Sequence, residues 1–391
     1  MGPAVNRRLR VGVVGTGLVA QIMHLPYLGE LSELFEVRAL CDSSRSVLEY
    51  CGQRFGVNRL FSDWEQLVEE DLDAVLVLTS GSHAPPAIAA AAAGMHVFVE
   101  KPMCFSTTEG AAMLGAAARA DVVLMVGYPK RYDPAYRRAR DVVGRLGDVR
   151  FARVTTLEAP SAPYLAHHRV VRGHDVAPDQ VATWRAESDR SIDEAIGSVV
   201  DDARSMFRSV LLDTMVHEFN LLRGILGEPT EVRFASLRQA TVTVVLDFDG
   251  VECVVAWLDL PGIAGYEMEA CFYDPGARVR LAFPSPYLKN APTLFEMTSG
   301  DPGGPSSVQS REIVSYEEPF KLELLEFHRA AIGEAEPLTS GLDGLRDVAL
   351  CASVVASARS AMGVPRPTLL DAEPSGGRPA PHNPGARGSG L

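Results

Sequence analysis

The chain lacks a cationic excess: 37 Lys and Arg stand against 50 Asp and Glu, a formal net charge of −13. Nucleic-acid binding needs a basic face to neutralise phosphates, so no nucleic-acid partner is expected. Long apolar runs are also missing. The nearest, Ala87 to Met95, is mostly alanine and falls far short of the ~18 residues of a membrane-spanning helix, so no membrane is expected either. Arg7 to Val14 has the charged-then-apolar look of an export signal, but its short apolar stretch is broken by glycine and has no small-residue cleavage site. The six cysteines, Cys41, Cys51, Cys104, Cys253, Cys271 and Cys351, include no CxxC pair. Five of them sit in apolar stretches, and reduced thiols in a cytoplasmic protein explain them better than a disulfide framework or a zinc site. His167, His168 and His174 cluster without a cysteine or paired carboxylate at ligand spacing, so no metal is expected.

What is present is globular composition, 47% hydrophobic and 22% charged. A length of 391 residues amounts to about 2.6 typical domains, and two are expected. The first third alternates short β-rich runs with helical stretches. Leu9 to Val14, Val37 to Cys41, Ala74 to Thr79, His96 to Glu100 and Val122 to Gly127 read as buried strands, with helices at Pro85 to Gly94 and Thr107 to Ala120. This spacing predicts βαβ units and a doubly wound parallel sheet, an α/β fold of Rossmann type, over residues 1–128.

Beyond Pro129 the pattern changes. A strand at Val149 to Leu157 is followed by an irregular polar passage from Glu158 to Ser209, then a strong helix at Leu211 to Leu226 that Gly227 and Pro229 stop. Successive strands follow at Glu231 to Ser236, Ala240 to Phe248, Glu252 to Asp259, Tyr266 to Tyr273 and Arg278 to Phe283, with Asp249-Gly250 as a hairpin turn. Late helices at Lys321 to Ile332 and Gly341 to Met362 complete a second, α+β domain over 129–364, built on a largely antiparallel open sheet. From Pro365 the chain is rich in Pro, Gly and Ser, and 365–391 is expected to be a disordered tail.

Three groups of residues carry chemistry. Gly15-Thr16-Gly17-Leu18-Val19-Ala20 follows a strand and opens a helix, the GxGxxA turn that seats a dinucleotide pyrophosphate on a helix N-terminus. Asp42 ends the second strand about 20 residues later, where a carboxylate accepts the ribose 2′-hydroxyl and repels a 2′-phosphate. Ser43, Ser44 and Arg45 follow it and could serve that phosphate, so NAD is favoured as cofactor with NADP possible. Glu100-Lys101-Pro102 ends the fourth of these strands at the carboxyl edge of the sheet, and the proline holds Lys101 extended. On the Leu211 to Leu226 helix, Asp213, His217, Asn220 and Gly224 form a polar or small stripe at i, i+4, i+7 and i+11. An Asp213–His217 hydrogen bond that orients the imidazole for proton transfer is expected from this phase. A satisfied core histidine is the bland alternative.

These pieces together resemble the Gfo/Idh/MocA oxidoreductases, a family that includes glucose–fructose oxidoreductase and inositol 2-dehydrogenase. The resemblance spans about residues 9 to 362 and rests on GTGLVA at 15–20, AGMHVFVEKPM at 93–103, VGYPKRYDP at 126–134 and LLDTMVHEFNLLRGILGEP at 212–229. It implies NAD(P) binding by the first domain and oxidation of a secondary alcohol of a sugar or cyclitol in the cleft between domains. Lys101, Asp213 and His217 match the family's catalytic positions. The expected cofactor set is Gly15, Thr16, Gly17, Leu18, Val19, Asp42, Ser43, Arg45, Thr79, Ser80, His83, Glu100, Lys101 and Arg131. The expected substrate set is Lys101, Tyr128, His168, Arg169, Asp213 and His217. Glu218 and Asn220 depart from the aspartates the family often carries there. A homodimer or homotetramer is implied. The alternatives are a catalytically silent regulator of the same fold, or an enzyme acting on an imine or dihydrodiol.

The passage 158–209 carries Tyr164, His167, His168, Arg169, Arg172 and His174 in its first half, and an apolar helical pattern (Ile192, Ile196, Val199, Val200, Met206, Phe207) in its second. It is expected to form a lid over the substrate pocket, its basic part reaching an anionic group of the substrate. A solvated surface insertion or a subunit contact is the competing expectation.

Overall fold

The computed structural model describes residues 7–198, 201–301 and 303–362. Six parallel strands form the first sheet: β1 (Leu9–Val14), β2 (Phe35–Cys41), β3 (Arg59–Phe61), β4 (Ala74–Val77), β5 (His96–Glu100) and β6 (Leu124–Gly127), in the order β3-β2-β1-β4-β5-β6. The apolar runs of β1, β4 and β5 are buried on both faces, as expected where helices cover a parallel sheet on either side. Strand order reverses between β1 and β4, so the loops leaving these two strands diverge and open a crevice at the carboxyl edge. β3 is too short to leave an apolar pattern in the sequence and was not expected.

The second sheet has eight strands: β7 (Phe151–Glu158), β8 (Glu231–Arg238), β9 (Thr241–Phe248), β10 (Val251–Asp259), β11 (Glu267–Asp274), β12 (Ala277–Phe283), β13 (Leu294–Gly300) and β14 (Ser307–Ile313). Their order is β14-β13-β12-β11-β7-β10-β9-β8. Only the β7–β10 pair is parallel, so the sheet is mixed rather than fully antiparallel. Asp249 and Gly250 both take positive φ at the β9–β10 hairpin, as a two-residue turn requires. β13 and β14 extend the sheet past the last expected strand. β14 is exposed throughout, and an edge strand without a buried face has no alternation to read.

Two corrections concern helices. The strong helix expected at Leu211 to Leu226 is two pieces, a π-helical stretch at Phe207–Met215 and an α-helix at Val216–Leu226. The irregular passage contains a helix at Pro178–Ile196 that buries Ile192 and Ile196, and Phe207 beyond it is buried too. That half therefore docks on the core. Val199 and Val200, like the tail from Pro365, lie outside the described residues. The helices Pro319–Ala331 and Gly341–Met362 close the chain; the first packs on the helical turn after β1 and the second on β8.

Candidate active site

Gly15 leaves β1 with φ +93°, and a Cβ there would lie 2.7 Å from the backbone of Leu78 and Thr79. Glycine is the residue that fits this turn. Gly17 differs: a Cβ on it would meet nothing within 4 Å. With Leu18, Asp42, Ser43, Ser44 and Ser80 it borders a cavity of about 320 Å³ at the crevice. The hydroxyl of Thr79, beside Gly15, is buried without a hydrogen-bond partner. A bare glycine facing open space, a cavity at the strand-order reversal and an orphaned hydroxyl together fit a dinucleotide.

Asp42 organises this edge. One carboxylate oxygen accepts from the Thr16 amide at 2.8 Å and the Thr16 hydroxyl at 3.0 Å, and the other accepts from the Ser44 amide at 2.8 Å. A carboxylate has about four acceptor sites, so capacity for ribose hydroxyls remains. Three expected cofactor residues sit elsewhere. Arg45 turns outward to Glu49 at 2.7 Å, one helical turn along. His83 is buried with its ring nitrogens 2.7 Å from the carbonyl oxygens of Thr79 and Pro102, so it ties the loop after β4 to the loop after β5. Arg131 donates to the carbonyl of Asn220 at 2.9 Å and to that of Leu338, bridging buried backbone instead of facing the crevice. All three are polar residues near the right strands, and only side-chain direction separates them from ligands.

A cleft of about 460 Å³ lies between the carboxyl edge of the first sheet and the second sheet. Its wall includes Val19, Glu100, Lys101, Lys130, Asp213, His217 and Glu218. Lys101 donates from Nζ to Asp213, 2.7 Å to Oδ1 and 2.5 Å to the backbone oxygen. Burial works against the ammonium, but Asp213 and Glu100 outweigh it and hold Lys101 above the usual lysine value. Glu100 is in turn fixed by His24, whose Nε2 lies 2.6 Å from its carboxylate.

The expected Asp213–His217 hydrogen bond does not form. Asp213 is taken by Lys101, and Nδ1 of His217 is buried without a partner. The cause is the π-helical stretch, which ends just before His217: its wider turn rotates Asp213 out of the i, i+4 phase of an α-helix. His217 instead packs edge-on against Tyr128, ring centroids 6.0 Å apart. Burial, with Lys130 and Lys101 adding to it, pushes its imidazole well below the usual histidine value. It is neutral at physiological pH. Asn220 faces a separate buried cluster, donating to Asp343 at 2.8 Å and Asp347 at 2.7 Å.

In the first half of the 158–209 passage Tyr164 borders the cleft, whereas His167, His168, Arg169, Arg172 and His174 do not. Arg169 stacks over Tyr50 at 5.7 Å, and its carbonyl accepts from Arg54 at 3.0 Å. Arg172 borders the crevice cavity beside Gly17. Nε2 of His168 lies 3.0 Å from the carbonyl oxygen of Tyr287, a residue that borders the cleft. The Gln21 side chain takes both the amide and the carbonyl of Val171, each at 2.9 Å. Backbone hydrogen bonds to a buried glutamine in the first helix, not the basic side chains, decide where this segment lies. Only Glu158, Ala159, Ser161, Tyr164 and Ser209 of the passage reach the cleft.

Further titratable residues of the cleft lie outside the expected sets, among them Lys130, Glu218 and Glu158. Lys130 stands in the VGYPKRYDP stretch, and burial lowers its ammonium, with Glu218 and Glu158 opposing. Glu218 is buried and accepts from Thr156 at 2.6 Å; burial raises its carboxyl, with Lys130 opposing. Burial also raises the carboxyl of Glu158. Glu218, next to His217, was visible as a departure from the family pattern. The other two carried no signal beyond their residue type.

Residues 9–128 match the model of an oxidoreductase family with an NAD-binding Rossmann fold. A myo-inositol 2-dehydrogenase from Thermotoga maritima is 27% identical over 231 residues, spanning 58% of this chain and 58% of that protein. A UDP-N-acetylglucosamine 3-dehydrogenase from Acidithiobacillus ferrooxidans is 22% identical over 88% of this chain and 96% of the other. A solved 3-ketoreductase from Actinomadura kijaniata, in complex with NADP and TDP-benzene, shares the fold with TM-score 0.68 and 20% identity, covering 90% of this chain and 98% of that one.

Proposed function

We propose that the chain, whose residues 9–128 match the Gfo/Idh/MocA oxidoreductase family, is an NAD-dependent dehydrogenase or ketoreductase. It acts on a secondary alcohol or ketone of a sugar, sugar derivative or cyclitol. One observation carries the reading: Lys101, Asp213 and His217 border a single cleft that Val19 of the glycine-rich turn also borders. Residues 1–128 hold the cofactor and 129–364 hold the substrate.

Bound NAD(H) supplies the hydride acceptor or donor. The protein's own groups handle the proton and the charge. His217, neutral because its surroundings disfavour the cation, takes the hydroxyl proton during oxidation and returns it during reduction. Lys101, kept cationic by Asp213, donates a hydrogen bond to the reacting oxygen and stabilises its developing negative charge. Asp213 positions Lys101 rather than His217.

The cleft wall carries six carboxyl groups, Glu100, Asp133, Glu158, Asp213, Glu218 and Glu318, against Lys101 and Lys130. Such a wall offers hydrogen-bonding partners to hydroxyl groups, which favours a neutral polyol at the reacting end. The six free, buried cysteines support a reducing cytoplasm, and assembly as a homodimer or homotetramer belongs to the same reading.

A panel of sugars, cyclitols and sugar nucleotides, scored for NADH production, tests the activity. Lys101→Ala and His217→Ala should each lower kcat by about 100-fold or more while NADH affinity changes little. Intact turnover in either variant would remove that residue from the chemistry.

A further inference from the structure

Asp175 belongs to the 158–209 passage, far in sequence from the first sheet, yet its carboxylate sits on the helix that follows β2. One oxygen accepts from the Ser44 hydroxyl at 2.5 Å and the Ser46 hydroxyl at 3.1 Å, and the other accepts from the Ser46 amide at 2.9 Å. Ser44 caps that helix, Arg45–Phe55, and Ser46 lies in its first turn. The neighbouring Gly173 is pressed so closely onto Ser44 that a Cβ would lie 2.1 Å from the Ser44 hydroxyl oxygen. Gln21 pins Val171 and Arg54 holds the carbonyl of Arg169. The segment is thus tied at four points across the cavity that Gly17, Asp42, Ser43 and Ser80 border.

A carboxylate with three hydrogen bonds from a helix start occupies a place suited to a phosphate: two serine hydroxyls, a free amide and the positive end of a helix. Asp42, the residue that meets the adenosine ribose in the proposed cofactor mode, donates nothing and accepts from the adjoining Ser44 amide. In that mode a substituent at the ribose 2′ position would adjoin this serine cluster. We propose that Asp175 is a specificity-determining residue, which fills the 2′-phosphate position from a separate element and so admits NAD(H) and excludes NADP(H).

The inference rests on the proposed cofactor mode and deepens it. Its hydrogen bonds hold the Asp175 carboxyl down at about 2, so its charge is present throughout the physiological range. A 2′-phosphate would meet Asp42 at the cavity wall and Asp175 on the adjoining serines. Arg172 also borders the cavity, and with Asp175 gone it would stand free to pair with the phosphate beside the serines. Rejection by a placed like charge is a repulsive device for specificity. It differs from the Asp42 effect in coming from the inserted segment.

The test is equilibrium binding of NADH and NADPH to the full-length protein, by fluorescence titration, for the wild type, Asp175→Ala and Asp175→Asn. The wild type should favour NADH by roughly 100-fold or more, in line with a like-charge penalty of several kcal/mol. Asp175→Ala should tighten NADPH binding by roughly 10-fold or more and change NADH by less than about 3-fold. Asp175→Asn keeps acceptor groups and removes the charge, so it should move the ratio the same way; if it does and Asp175→Ala does not fold, the inference stands. An unchanged NADPH-to-NADH ratio in both variants would overturn it and leave Asp42 as the source of preference. Equal loss of both nucleotides would also overturn it, reducing Asp175 to a tether. Failure of the wild type to bind either nucleotide would overturn the cofactor mode itself.

Discussion

Gly17 offers the cleanest separation of binding from folding at a single residue. Because a Cβ there would meet nothing within 4 Å, Gly17→Val should change the melting temperature little and abolish NADH binding; intact binding would place the pyrophosphate elsewhere. Asp213 can be separated from the chemistry by pH. Its charge raises Lys101, so Asp213→Asn should lower the lysine value and move the alkaline fall of kcat to lower pH. An alkaline limb left in place would show that Asp213 does not set the charge of Lys101. Glu323 is buried with both carboxyl oxygens unpartnered, and burial, with Glu100 and Glu318 adding to it, raises its carboxyl well above the usual value. A carboxyl raised in the folded state takes up more protons than in the unfolded chain, so its contribution is favourable at low pH and is lost as pH rises above the ordinary carboxylate range. Glu323→Gln should therefore gain melting temperature over the wild type at pH 8 relative to pH 5. An equal difference at both values would mean that Glu323 is not the protonated group. The glycine turn and Asp42 were legible in the sequence because their chemistry is local. Glu323 was not, since a glutamate destined for burial looks like any other until the helix that carries it is packed.

Among the elements, the sequence supplied the strands whose both faces are buried and the hairpin whose turn needs positive φ. It missed β14, whose exposed residues alternate with nothing, and it lost the phase of the Asp213 helix at the π-helical stretch. A periodicity count assumes one helix type, and an added residue per turn shifts every position before the junction relative to those after it. The basic residues of the 158–209 passage stood out in the sequence, whereas Gln21, which holds its backbone at Val171, had no motif. The consequence is measurable. Replacing His168, Arg169 and Arg172 together with alanine should weaken NADH binding several-fold, by about 1 kcal/mol, while substrate KM at saturating NAD stays within about 2-fold. A large rise in KM with NADH binding spared would restore the segment to the substrate. Gln21→Ala, which removes both backbone anchors of Val171, should increase hydrogen exchange across residues 165–176 without slowing exchange or changing protection in β1; unchanged exchange there would mean the glutamine does not hold the segment.

At the scale of the whole molecule, the cleft exists because the crevice at the carboxyl edge of one sheet meets the second sheet, with His217 and Glu218 supplied by the helix Val216–Leu226 and Tyr266 standing just before β11. The helix Pro319–Ala331 runs back onto the first helical turn and brings Phe320 to the same wall. Late chain thus completes a site that begins at residue 15. Order and spacing of motifs made the pairing of a Rossmann sheet with an open sheet legible; the acidity of the cleft emerged only when residues from six separate elements came together. The most direct measurement is NADH formation by the wild type across a panel of neutral sugars and cyclitols, followed from acid to neutral pH. At least one neutral polyol should be oxidised, with the rate sustained well below pH 6.5, because burial and the two lysines keep His217 unprotonated. Tight NADH binding with no turnover of any polyol, or a rate that collapses as pH falls through 6.5, would contradict the assignment of this cleft to alcohol oxidation with His217 as its base.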